Sequence, residues 1–71
     1  MRENIKLGKR IKHLRSLRDM TRHELSLLSL VNYTTLMNIE NGKTNAKLDT
    51  LERLAMFLEV SMKELFDYES K

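Results

Sequence analysis

Apolar side chains recur at helical spacing from the start of the chain. Ile5, Leu7, Ile11, Leu14 and Leu17 lie mostly three and four residues apart with cations between them, which predicts an amphipathic helix over 3–18. Leu51, Leu54, Ala55 and Leu58 form a second compact stripe, with Asp49 or a neighbour as its start. Local signals place the helix ends. Thr21-Arg22-His23-Glu24 is written as a capping box, in which the threonine oxygen accepts the Glu24 amide proton and the glutamate reaches back; Ser61-Met62-Lys63-Glu64 repeats the device. Asn32 is a good N-cap, and Gly42 stands where the helix begun there would close through a left-handed residue. The pattern predicts five short helices, near 3–18, 22–28, 32–41, 49–58 and 62–68. With no proline, and glycine only at Gly8 and Gly42, long loops and hairpins have little chemical support, so the fold class is all-α.

Only three or four residues part the second and third helices. An aligned continuation across so short a link would leave two apolar faces without a shared core, so the chain turns a sharp corner, a helix-turn-helix over about residues 22–41. In the stretch VNYTTLMNIENG, Leu36 and Ile39 lie together with Thr35 beside them and Val31 joining from the turn; these are expected to face inward. Tyr33, Thr34, Met37, Asn38 and Asn41 make a continuous outward stripe of amides, hydroxyls and one flexible apolar side chain. Such groups suit base edges and thymine methyls in a major groove, which is wide enough to admit a helix. A plain solvated face could use the same residue types. Glu40 would repel DNA if unpaired. It falls four residues after Leu36, and Arg15, next to core Leu14, is the cation expected to neutralise it in a partly buried pair that locks the third helix onto the first.

Charge adds a direction. Residues 1–47 carry ten basic and four acidic side chains, net +6, whereas residues 48–71 carry three basic and six acidic, net −3. One end therefore suits a polyanion and the other water or protein. At 71 residues the chain is read as one domain, 1–71, with a modest core. The lack of cysteine removes disulfides and thiolate chemistry and suits a reducing cytoplasm. His13 and His23 lack partners at metal spacing, so neither a metal nor another cofactor is expected. No apolar run approaches the ~20 residues needed to cross a bilayer, and MRENIKLGKR lacks the apolar stretch of a secretory signal. A cytoplasmic protein without membrane contact is the expectation. No nucleophile, base and orienting group stand together, and there is no glycine-rich phosphate loop, so an enzyme is disfavoured.

LGKRIKHLR, TRHELSLLSLVNYTTLMNIENGK and KLDTLERLAMFLEVSMKELF, read in order, resemble the phage repressor and Cro family of helix-turn-helix regulators, with the likeness running from Leu7 to Phe66. The resemblance implies a compact five-helix, lambda-repressor-like DNA-binding domain. It also implies that Asn32, Tyr33, Thr34 and Met37 face bases, that Asn41, Lys43, Thr44 and Asn45 grip backbone phosphates, and that Arg15 with Glu40 is the family's buried ion pair. Four positions depart from the pattern. Arg22 stands where a glutamine commonly contacts phosphate and braces the recognition helix. Leu30 occupies a turn position that often holds glycine or asparagine, and a leucine with positive φ would be strained. Ala46 replaces a usual proline, and Ser26 is the small residue that permits close packing.

The expected activity is sequence-specific binding of double-stranded DNA by a homodimer on a near-palindromic operator, regulating transcription, with Arg10, Arg22 and Lys43 on phosphates. Repressor, restriction-modification controller and antitoxin all resemble this framework, and acidic side chains in the C-terminal half leave RNA polymerase as a second partner. Phe66 is expected in the core, and Met56, Phe57, Met62, Phe66 and Tyr68 are the candidates for a subunit interface. Leu28 is expected to complete the core, leaving Leu27 and Leu30 as isolated exposed leucines. The rival is a protein-interaction module that kept the fold, lost DNA binding and docks through that leucine-rich turn.

Overall fold

The computed structural model describes residues 2–67, which fold into five helices: α1 Arg2–Leu17, α2 Arg22–Ser29, α3 Tyr33–Glu40, α4 Leu48–Leu58 and α5 Met62–Leu65. Both capping boxes form. Thr21 Oγ1 accepts the Glu24 amide at 3.0 Å while the Thr21 amide donates to the Glu24 carboxylate at 2.8 Å; Ser61 and Glu64 repeat the exchange at 3.0 and 2.8 Å. α4 begins a residue earlier than Asp49 suggests, from Lys47, which offers no side-chain cap. Asp49 sits in the first turn instead, where its negative charge favours the helix dipole.

Three helices end alike. At the close of α1, α3 and α4 the residues Asp19, Gly42 and Glu59 take left-handed backbone, with φ of 54°, 73° and 60°. In each case two amides turn back onto the final turn: for α3, Gly42 N–H donates to the Ile39 carbonyl at 3.1 Å and Lys43 N–H to the Asn38 carbonyl at 2.9 Å. Only Gly42 is a glycine, and it has a second reason to be one. A Cβ there would come within 2.8 Å of the Ile5 side chain.

Leu7, Ile11 and Leu14 of α1, Leu25 of α2, Leu36 and Ile39 of α3, the stripe of α4 and Leu65 of α5 share one core, which Val31 joins from the turn. α1 lies across α3, and its crossing point is Gly8. A Cβ on that residue would clash with the Ile39 carbonyl oxygen and lie 2.6 Å from that of Glu40, so glycine is what lets the two backbones touch. No buried side-chain polar atom among the described residues lacks a hydrogen-bond partner.

Several inward assignments are corrected. Leu28 is half exposed, and Leu25 with Ser26 and Ser29 forms the buried face of α2. The corner between α2 and α3 is too close for leucines: Ser26 Oγ donates to the Val31 carbonyl and Ser29 Oγ to that of Leu25, both at 2.6 Å, so the face centres on small residues and rotates Leu27 and Leu28 outward. Phe66 is exposed because α5 stops at Leu65, which takes the core position. Thr35 is exposed at an open cleft rather than packed with Leu36. Ile5 and Leu17, at the ends of the α1 stripe, are exposed, although Ile5 covers Gly42.

Candidate nucleic-acid interface

The corner is set by one left-handed residue. Leu30 takes φ 59° and ψ 31°, the strained conformation that its place in the turn foreshadows, and its side chain projects 81% exposed. Beyond it Asn32 caps α3, with Oδ1 accepting the amides of Thr34 and Thr35 at 2.9 and 3.3 Å. That cap commits the Asn32 carbonyl oxygen to the helix and leaves its NH₂ as the group that can turn outward.

From this start α3 presents Tyr33, Thr34 and Asn41 exposed, and Met37 and Asn38 half-buried. Lys43, Thr44 and Asn45 follow on the exposed loop. Beside α3 runs a cleft lined by Asn32, Thr35, Thr44, Asn45, Lys47 and Arg53, among others. Lys47 and Arg53 bring two cations to it that helical spacing within α3 could not reveal. The signal for Lys47 was its place at the end of the polar loop KTNAK; Arg53 is placed only by the packing of α4.

Glu40, the one carboxylate of α3, is sealed, with its side chain fully buried. Arg15 holds it by two parallel bonds, Nε to Oε2 at 2.8 Å and Nη2 to Oε1 at 3.0 Å, and spends Nη1 on the Met20 carbonyl at 2.9 Å. Arg22 adds a third bond, Nε to Glu40 Oε1 at 3.0 Å. Two guanidiniums thus enclose one carboxylate, a triad of net charge +1. Donating a hydrogen bond to the Glu40 carboxylate raises the pKa of Arg22, outweighing the opposing effect of burial, with Tyr33 adding a smaller push in the same sense.

Arg22 also reaches the other end of α3. Its guanidinium carbon lies 5.9 Å from the centroid of the Tyr33 ring, and the His23 ring lies 6.1 Å from it at a 54° tilt. The brace that glutamine supplies in the family pattern is therefore made here by different chemistry: one arginine touches the first and last residues of α3. Arg10 sits elsewhere. Its Nε and Nη2 donate to the Glu64 carbonyl at 3.2 and 2.9 Å, tying α1 to the end of α5. Arg18 makes the corresponding tie to α4, with Nε on the Leu58 carbonyl at 2.7 Å and Nη2 on Glu59 at 3.0 Å.

Of the interface candidates, Met56 and Phe66 are exposed while Phe57 and Met62 are partly buried against the core. Tyr68 lies outside the described residues. Leu27, Leu28 and Leu30 are all exposed, so the turn carries more apolar surface than two isolated leucines.

The family described as Helix-turn-helix matches residues 11–65. Among solved structures, the restriction-modification controller protein C.AhdI from Aeromonas hydrophila is similar, with a TM-score of 0.88 and 26% identity, covering 92% of this chain and 98% of the controller. No curated protein matches. The chain belongs to the helix-turn-helix family, of the phage repressor and Cro type that its motifs resemble.

Proposed function

We propose that the protein is a transcriptional regulator that binds double-stranded DNA sequence-specifically, inserting α3 into the major groove as one half of a homodimer. One observation carries this reading: α3 shows the outside an uncharged hydrogen-bonding stripe, while its only carboxylate is fully buried between two arginines. A merely solvated helix has no need to hide a charge at that cost. The triad's surplus positive charge, at Arg22, is suited to a phosphate, as are Lys43, Thr44 and Asn45. Arg10 already spends Nε and Nη2 on the Glu64 carbonyl, and would meet a phosphate with the N–H groups that those bonds leave free.

Among regulatory contexts, a controller role is favoured by a structural likeness that runs along nearly all of a restriction-modification controller. The protein-interaction reading rests on the leucines of the turn. Selection from random duplexes with purified protein, at two salt concentrations, decides between them. Recovery of a near-palindrome whose half-sites lie about one helical turn apart supports the regulator; recovery of no sequence at either salt overturns it in favour of the protein-docking module.

A further inference from the structure

Tyr33 is the first residue of α3 and remains partly exposed, and two groups from the start of α2 lie against its ring. Arg22 lies over the ring and is itself immobilised by Glu40, and His23 meets the ring at a tilt within the ordinary range of aromatic pairs. Resting on the DNA-binding reading above, we infer that His23 is a specificity-positioning residue: its imidazole holds the Tyr33 ring so that the phenol reads one base step at the edge of each half-site. The residue contacts no base in this role. It acts by removing alternative directions of a side chain that would otherwise lose its freedom only on binding.

A packing role alone would move stability, whereas a positioning role moves base preference. His23 is exposed, so His23→Ala is expected to leave the thermal midpoint unchanged. In duplex selection the same variant is expected to lose about three- to tenfold of its discrimination at one outer base pair of each half-site, the scale of a single aromatic pair, with preference elsewhere retained. His23→Phe, which keeps a ring but no ring nitrogen, should restore that preference, and Tyr33→Leu should lose it whatever stands at position 23. In the free protein, the ring-proton NMR shifts of Tyr33 should move in His23→Ala and return toward wild type in His23→Phe. An unchanged preference at every position in His23→Ala overturns the inference while leaving DNA binding intact. So does a uniform loss across all sequences, which would make His23 a backbone contact. Failure of the wild-type protein to select any duplex removes the function reading and this inference together.

Discussion

A leucine at position 30 is an odd choice for left-handed backbone. The conformation costs an L-residue about 1–2 kcal/mol, and here almost none of that is returned by burial, since the side chain is 81% exposed. Glycine would remove the strain but add about 0.5–1 kcal/mol of chain entropy. Leu30→Gly is therefore expected to stabilise the domain modestly, raising the midpoint of thermal unfolding by a few degrees; a lower midpoint would mean that the leucine makes contacts worth more than its strain. The opposite sign is expected ten residues on. Glu40→Gln leaves two guanidiniums facing each other around a neutral amide, a loss of about 3–5 kcal/mol in a domain of small total stability. Arg15→Gln removes two of the three bonds and should cost less than Glu40→Gln, and Arg22→Gln, which spares the parallel pair, least of all. Urea unfolding of the three variants checks that order. Because folding raises the pKa of Arg22, its contribution is present at every pH below the unfolded value, so Arg22 adds no pH dependence to stability through the neutral range.

At the scale of helices, the sign of one substitution separates propensity from packing. Alanine is favoured over glycine inside a helix by about 1 kcal/mol, so α1 alone would gain from Gly8→Ala. The added methyl meets the Ile39 and Glu40 carbonyls, backbone atoms that cannot rotate away. The expected result is a net loss of about 1–3 kcal/mol in urea unfolding, together with weaker DNA binding as the last turn of α3 is pushed off α1. Stabilisation would show that the crossing has slack. The five helices and the caps at Thr21, Asn32 and Ser61 were legible because they depend on spacing and short-range chemistry: Glu24 follows Thr21 by three, and Glu64 follows Ser61 by three. The start of α4 was less so, since Lys47, which offers no side-chain cap, precedes it; the Arg15–Glu40 pair, 25 residues apart, followed from the need to neutralise a carboxylate and from the family pattern. What escaped depends on angles between helices. Leu25 and Leu28 are equally plausible core residues on a helical projection, and only the tightness of the corner, with serine at 26 and 29, rotates the second one out. The reach of Arg22 along α3 and of Arg10 toward Glu64 is a matter of helix placement, which no spacing along the chain encodes.

The whole molecule measures 29 × 22 × 20 Å and offers one α3, whereas successive major-groove faces lie about 34 Å apart. One copy cannot read both halves of a palindrome, so a homodimer follows from size if the operator is two-fold. In that reading the candidate contact surface is the exposed Met56 of α4 and Phe66 just beyond α5, beside the partly buried Phe57 and Met62. In the DNA-binding reading, the parts of the contact should separate under mutation. Thr34→Ala is expected to relax base preference at one position, by about 1–3 kcal/mol of lost discrimination, while Lys43→Ala weakens all sequences alike. Salt then tests the assembly as a unit. If each subunit neutralises roughly three phosphates, the dimer releases counterions from about six, and the logarithm of affinity should fall with the logarithm of salt at a slope near −5. Lys43→Ala in both subunits removes two contacts and should flatten that slope by about 2, whereas Thr34→Ala, which touches no phosphate, should leave it unaltered. A wild-type slope near zero would contradict groove binding driven by phosphates, and equal slopes for the two variants would remove Lys43 from the contact.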